Sequence, residues 1–291
     1  MVIVDTFPFN KDFNTFEIRL NELWDVVDKF IVVESAYTHS GLKKPLYLKD
    51  KFMSYKKYHS KLILISNTKK IYTQNARIRE QFQRGLIDEQ IKKLKLSAKD
   101  LIIHSDCDEI PRANIIQELA ARCESNRYLL ELDDFVYFLN LYQGKWTRCT
   151  VTSFDRFKGV QYARQNMYVG HADKYTRYNL PLMRVPDYWT TRRYLRFLPI
   201  IKYDPKLVRI EGGGWHFNNL FLSDDIIEKI KSFSHTELAK EIDLSISNIS
   251  NLREKRKNIF TNSDLKKVEI NDSYPKYVLN NLDKFSIFIL D

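Results

Sequence analysis

Short apolar runs alternate with amphipathic stretches through the first half of the chain, and that alternation leaves few folds open. Val2-Ile3-Val4 is followed by a helix-like Phe13 to Val27, then by Phe30-Ile31-Val32-Val33 and Leu62-Ile63-Leu64-Ile65. A second helix-like stretch, Arg77 to Leu96, leads to Leu101-Ile102-Ile103. Continuous apolar runs of this length suit strands buried on both faces, and helices between them suit parallel crossovers. The expected fold class is therefore α/β, with a mostly parallel, nucleotide-binding sheet. In the first helix Phe13, Phe16, Leu20, Leu23, Trp24 and Val27 recur at three and four residues. They make one apolar face for the core and leave Glu17, Arg19 and Glu22 on other faces.

After Arg127-Tyr128-Leu129-Leu130 the pattern turns to aromatic, β-prone segments ending near Phe157. A Tyr-, Arg- and Pro-rich stretch from Tyr168 to Pro205 then shows little periodicity and reads as long loops over the ligand face, a kind of loop that is usually functional. Helix signals return at Ser223, a plausible N-cap ahead of Asp224 and Asp225. No repeat or compositional break divides the chain, so one domain over 1–291 is expected, with a nucleotide-binding half to about residue 125 and a second half from about 126.

A formal charge of +10 and a pI near 9.3 imply an anionic partner, be it nucleic acid, a phosphorylated sugar donor or an anionic membrane. Cys107, Cys123 and Cys149 are too scattered for a disulfide framework or a zinc pair, which suits a reducing compartment. The opening residues lack a signal peptide's basic and apolar regions, and no run of about 18 apolar residues suggests a membrane span, so a soluble protein is expected.

Asp106-Cys107-Asp108-Glu109 follows the strand-like Leu101-Ile102-Ile103 with only His104 and Ser105 between. Open α/β sheets bind ligands at the carboxyl ends of their strands. A hard divalent cation on phosphate oxygens needs only one or two protein carboxylates, because phosphate and water complete its shell. The same residues also read as a solvated acidic turn capping the helix that follows Pro111, a residue type that favours the first helical position. In Gly212-Gly213-Gly214-Trp215-His216-Phe217, three glycines would let backbone approach a ligand. Trp215 supplies a stacking face, and His216 a nitrogen that Mn2+ accepts as a third ligand beside Asp106 and Asp108.

Two further segments carry function-like patterns. His235 to Arg256 has helix-turn-helix spacing with a basic end, which would place Asn248, Asn251 and Arg253 near bases and make the protein a DNA binder. Its turn lacks the usual glycine, and two packed helices at the domain edge are the alternative. Arg184 to Arg196, with Trp189, Arg192, Arg193 and Tyr194, could stack on sugars or bases and neutralise phosphate, or be a solvated loop.

DVVDKFIVVESAYTHSGLKKPLYL (25–48), REQFQRGL (79–86), SDCDEIPR (105–112), GGWHF (213–217) and YPKYVLNNLDKF (274–285) together resemble glycosyltransferase family 17. The resemblance implies a GT-A-like fold, a UDP-sugar donor with N-acetylglucosamine the favoured sugar, a divalent metal (Mn2+ or Mg2+) and inversion at the anomeric carbon. It makes nucleic acid an unexpected partner. Unlike the anchored animal members of that family, the chain opens without an apolar anchor, so a cytoplasmic location in a bacterium or virus-infected cell is expected. On this reading Asp106, Asp108 and His216 hold the metal, and Glu34, Arg84, Asp106 and Asp108 bind the donor. Arg84 pairs with phosphate or with Glu80. Trp189, Arg192, Arg193 and Arg196 meet a glycan acceptor that is anionic or lipid-linked. The acceptor's proton goes to a carboxylate base, for which Asp155 and Asp224 are the alternatives.

Overall fold

The computed structural model describes residues 1–165, 207–234, 239 and 241–291. Ile3–Phe9 (β1), Lys29–Ser35 (β2), Leu62–Asn67 (β3) and Leu101–His104 (β4) lie in the order β3-β2-β1-β4, all parallel. Phe13–Leu23 (α1), Tyr47–Asp50 (α2) and Ala76–Ile91 (α3) belong to the crossovers. Side-chain alternation explains why these strands are apolar throughout. Phe7, Phe30, Val32 and Ile103 pack with Phe16, Leu20 and Leu23 of α1, while Val4, Ile31, Val33 and Ile102 pack on the opposite face with Ile87 and Ile91 of α3.

Glu109–Pro111 (β5), Ala113–Arg122 (α4), Arg127–Val136 (β6), Leu141–Ser153 (β7), Val160–Gln165 (α5) and Leu207–Asn218 (β8) follow, then Ser223–Ser232 (α6), Ile246–Glu254 (α7), Lys266–Lys267 (β9) and Lys276–Leu279 (α8). The same sheet continues as β4-β7-β6-β8-β5, with β9 on β7. Here β4–β7, β6–β7 and β5–β8 are antiparallel and β6–β8 is parallel, so the sheet is parallel in its first half and mixed beyond.

Only residues 105–108 join β4 to β5, although three strands lie between them in the sheet. A chain of that length reaches at most about 18 Å, whereas four flat strand spacings need about 19 Å. The sheet must therefore curl. Trp146 of β7 accordingly donates its indole N–H to Glu109 of β5 at 2.7 Å, past two intervening strands. The glycine run serves the same closure: a Cβ on Gly214 would stand 2.1 Å from the Ile110 carbonyl oxygen, and one on Gly213 2.7 Å from Leu130 Cβ. These glycines admit neighbouring strands, where the sequence suggested a ligand.

Several sequence expectations are corrected. A helix does follow Pro111, but it begins at Ala113: Pro111 itself ends β5, because Ile110 and Pro111 pair with Trp215 and Gly214. The cap of α6 falls on Leu222, and Ser223 is its first residue. Of the helix-turn-helix look-alike, α7 is described. Its Ile249 is buried with Ile226 and Ile230 of α6, while Arg253 lies 4.7 Å over the Phe138 ring and donates to Ser223. That arginine is committed to packing, which takes one of its three expected base contacts from the DNA-binding alternative. Arg19, assigned above to a face away from the core, is fully buried. Among the described residues no helix is long and apolar enough to cross a membrane.

Candidate active site

The turn after β4 is built around Arg19. Its guanidinium makes five hydrogen bonds: to both carboxylate oxygens of Asp5 (2.7 and 2.6 Å), to the carbonyls of Asp106 and Glu109 (2.8 Å each) and to Ser105 Oγ (2.8 Å). All five N–H donors are thereby satisfied, so the buried ion pair also dictates the path of the Asp-x-Asp loop. Glu109, itself buried, ties the loop from the other side. Its Oε2 accepts from the Asp106 amide and from Arg164, both at 2.7 Å, and its Oε1 from Trp146.

Within that frame the two aspartates point to different partners. Asp106 accepts from Arg84 Nη2 at 2.5 Å and from Arg164 Nη2 at 2.6 Å, and remains 32% exposed. Burial opposes its ionisation, but the Arg164 and Arg84 charges hold it well below the usual carboxylate range. Arg84 also bonds Glu80 at 3.1 Å, so it makes a structural ion pair and reaches the loop as well. His104, beneath them, is held well below the ordinary imidazole range by burial and then by the Arg84 and Arg164 charges; its Nδ1 sits 2.9 Å from Thr6 Oγ1 and its Nε2 3.4 Å from Arg84 Nη1.

Asp108 faces the second half of the molecule. Its Oδ2 takes a hydrogen bond from Lys229 of α6 at 2.7 Å, and the same ammonium lies 3.2 Å from Asp12 Oδ1. Asp108 Oδ1 stands 3.7 Å from His216 Nε2. The His216 ring stacks on Trp146 with centroids 4.7 Å apart, and its Nδ1 lies 2.9 Å from Asp134 Oδ1. A carboxylate close to one imidazole nitrogen, with a second carboxylate near the other, is an arrangement open to a histidine metal ligand. A separation of 3.7 Å is too long for a hydrogen bond but is spanned by a cation about 2.1 Å from each donor. Asp108 and His216 therefore fit a divalent ion. Asp106 does not join them, since both its oxygens are turned to arginines, and among the described residues no three His, Cys, Asp or Glu side chains form a complete ligand group.

Burial and neighbouring carboxylates pull the titration of His216 in opposite directions. Burial opposes the imidazolium, yet Asp134 and then Asp108 push its pKa up to about 9 from an ordinary 6.5. Because the folded value is the higher one, the stabilisation is complete below pH 6.5 and is lost as pH rises towards 9, up to about 3 kcal/mol. Urea unfolding of metal-free protein at the two ends of that window should show the wild type losing more stability than His216→Gln. Parallel losses in the two proteins would contradict this assignment.

Other residues singled out from sequence lie elsewhere. Glu34 is fully buried, and its carboxylate accepts from the Leu48 and Lys49 amides at 3.0–3.1 Å and pairs with Lys44 at 3.7 Å, so it caps α2 and is not exposed to a sugar donor. Asp155 accepts from the Ser153 and Ser125 hydroxyls at the amino end of β4, the end opposite the Asp-x-Asp turn, and is no base for this site. Asp224 is exposed in the first turn of α6, five residues and a different helix face from Lys229. Trp189, Arg192, Arg193 and Arg196 lie outside the described residues. Conversely Asp12, Asp134, Trp146, Arg164 and Lys229 were not anticipated. Each is a single polar or aromatic residue far along the chain from the Asp-x-Asp turn, with no local pattern to mark it.

Comparison with known proteins bears on this geometry. The family described as Glycosyltransferase family 17 matches residues 2–174, a span that includes the Asp-x-Asp turn and Arg164 but ends before Gly213. The β-1,4-mannosyl-glycoprotein 4-β-N-acetylglucosaminyltransferases of Rattus norvegicus and Homo sapiens are each 27% identical over 151 residues, 50% of this chain and 24% of the relative. The match thus spans about a quarter of those relatives' length. Among solved structures, HddC from Yersinia pseudotuberculosis aligns with a TM-score of 0.32 and 14% identity, over 53% of this chain and 81% of that one.

Proposed function

Because the chain belongs to glycosyltransferase family 17, we propose that it transfers N-acetylglucosamine from a UDP-sugar to a glycan acceptor, using Mn2+ or Mg2+ at Asp108 and His216. The observation that carries this reading is the 3.7 Å approach of Asp108 Oδ1 to His216 Nε2 beyond the end of β4, with Asp134 behind the imidazole. The sugar rests on the relatives' names, which describe 4-β-N-acetylglucosaminyltransferases.

The charge balance supports a metal-assisted donor site. Asp12, Glu80, Asp106, Asp108, Glu109 and Asp134 face Arg84, Arg164, Lys229 and, without metal, a protonated His216, a surplus of two negative charges that becomes three when His216 gives up its proton to bind a metal. Such a site repels a nucleotide diphosphate unless a divalent cation comes with it. The cation would supply Lewis-acid stabilisation of the departing diphosphate. Arg84 and Arg164, held beside the exposed edge of Asp106, add positive charge at the same mouth without having to move. Trp146 and Glu109 keep the His216 ring and the Asp-x-Asp loop in register. An acceptor that is anionic or lipid-linked would be met by Trp189, Arg192, Arg193 and Arg196, as their composition suggests.

Incubation with UDP-GlcNAc, UDP-Glc, UDP-Gal and UDP-xylose should release UDP fastest from UDP-GlcNAc, and only with Mn2+ or Mg2+. UDP release that persists unchanged in EDTA would refute the metal-assisted reading, and a preference for another donor would replace the sugar.

A further inference from the structure

The geometry points to Lys229 as an internal counter-cation that keeps Asp108 and His216 from holding a divalent metal alone, and so ties metal binding to the arrival of the nucleotide diphosphate. The inference rests on the metal reading above and adds the order in which the site fills. Lys229 stands between two carboxylates, 2.7 Å from Asp108 Oδ2 and 3.2 Å from Asp12 Oδ1, on the oxygen of Asp108 that does not face His216. Its position is imposed by α6. Ile226 and Ile230 are buried to either side, and Lys11 binds Asp225 at 2.7 Å and Glu228 at 2.6 Å, pinning the helix to the segment between β1 and α1. The side chain keeps 25% exposure, so solvent reaches part of it and a phosphate could approach.

Two consequences follow from that placement. While Lys229 is present, Asp12 is spent on the ammonium, and a metal has only Asp108 and His216 from the chain. Two protein donors beside a resident positive charge make a weak site, which the oxygens of a diphosphate would complete. A diphosphate arriving at the mouth would also give the ammonium a new partner and free Asp108 for the metal. Metal and nucleotide should then bind with strong positive coupling, each raising the other's affinity by the same factor. Without Lys229, Asp12 and Asp108 would face one another unpaired, and with His216 they would offer three donors. Losing the unit positive charge of Lys229 also removes its repulsion of a divalent ion, which favours metal binding further.

The test is Mn2+ binding to the full chain by calorimetry or paramagnetic resonance, with and without UDP. The wild type should bind Mn2+ weakly alone and much more tightly with UDP. Lys229→Met should bind Mn2+ alone at least about tenfold more tightly, with the effect of UDP reduced, while Lys229→Arg, which keeps the charge, should resemble the wild type. Lys229→Gln provides the same comparison should the Met variant fold poorly. If the wild type couples Mn2+ to UDP but both neutral variants match it without UDP, the role of Lys229 is overturned and the metal reading stands. If no protein binds Mn2+ even with UDP, both fall.

Discussion

Asp108→Ala is expected to lower kcat/KM for the UDP-sugar about a thousandfold and to make UDP binding indifferent to Mn2+. Asp108 is the carboxylate that His216 and Lys229 both approach, and its loss takes away the anionic half of the proposed metal pair. Stabilisation of charge on a leaving group is commonly the largest single catalytic contribution, and removing one fixed group of this kind costs about 10²–10³-fold. The fold should survive the change, because Asp12 remains to partner Lys229 and Asp134 to partner His216. Steady-state kinetics with UDP-GlcNAc, and UDP titrations with Mn2+ and with EDTA, provide the check. A loss under tenfold, or UDP binding that still needs Mn2+, would move the metal away from Asp108.

Arg19→Met is the largest expected loss of stability. Methionine of similar length leaves the Asp5 carboxylate fully buried without its partner, and breaking a buried pair in this way costs about 3–5 kcal/mol. Ser105 and the carbonyls of Asp106 and Glu109 lose donors as well, each a further ~1–3 kcal/mol if left unpaired. Typical domains are stable by only about 5–15 kcal/mol, so much of the variant should be unfolded or loosely folded at 37 °C. The double variant Asp5→Leu/Arg19→Met removes the lone charge and should recover part of the urea midpoint, yet not donor binding, because the Asp-x-Asp carbonyls stay unheld. A single variant with the wild-type midpoint would show that the pair is dispensable.

Residues close in sequence were legible where a periodic pattern carried them. The β1–α1–β2 and β3–α3–β4 succession was readable because each strand run is continuously apolar and each helix is periodic, and the strand before Asp106 located the turn. The resemblance in residues 25–48, 79–86 and 105–112 falls inside the matched family region. Errors arose where one residue served a partner beyond its own element. The helical spacing of α1 assigns Arg19 to solvent, since amphipathic periodicity treats every charge as surface, and nothing local reveals that Asp5 and a loop some 90 residues away enclose it. Pro111 after an acidic turn looks like a helix start until β8 pairs with it. Glu34 matched a family segment, but its carboxylate caps α2.

From sequence alone came an α/β chain with strands buried on both faces, an acidic turn at the carboxyl end of the fourth strand, and a family likeness. These follow from local periodicity and from motifs that need no distant partner. Tertiary structure alone decided how the Asp-x-Asp residues divide, with Asp106 to Arg84 and Arg164, and Asp108 to His216 and Lys229. That division depends on the curl of the sheet, which folds β5 and β8 back towards β7 and brings together side chains from α3, α5, α6 and β8. Closure between strands distant along the chain is fixed by packing and by a four-residue link too short for a flat sheet, and neither leaves a periodic signature in the amino-acid order.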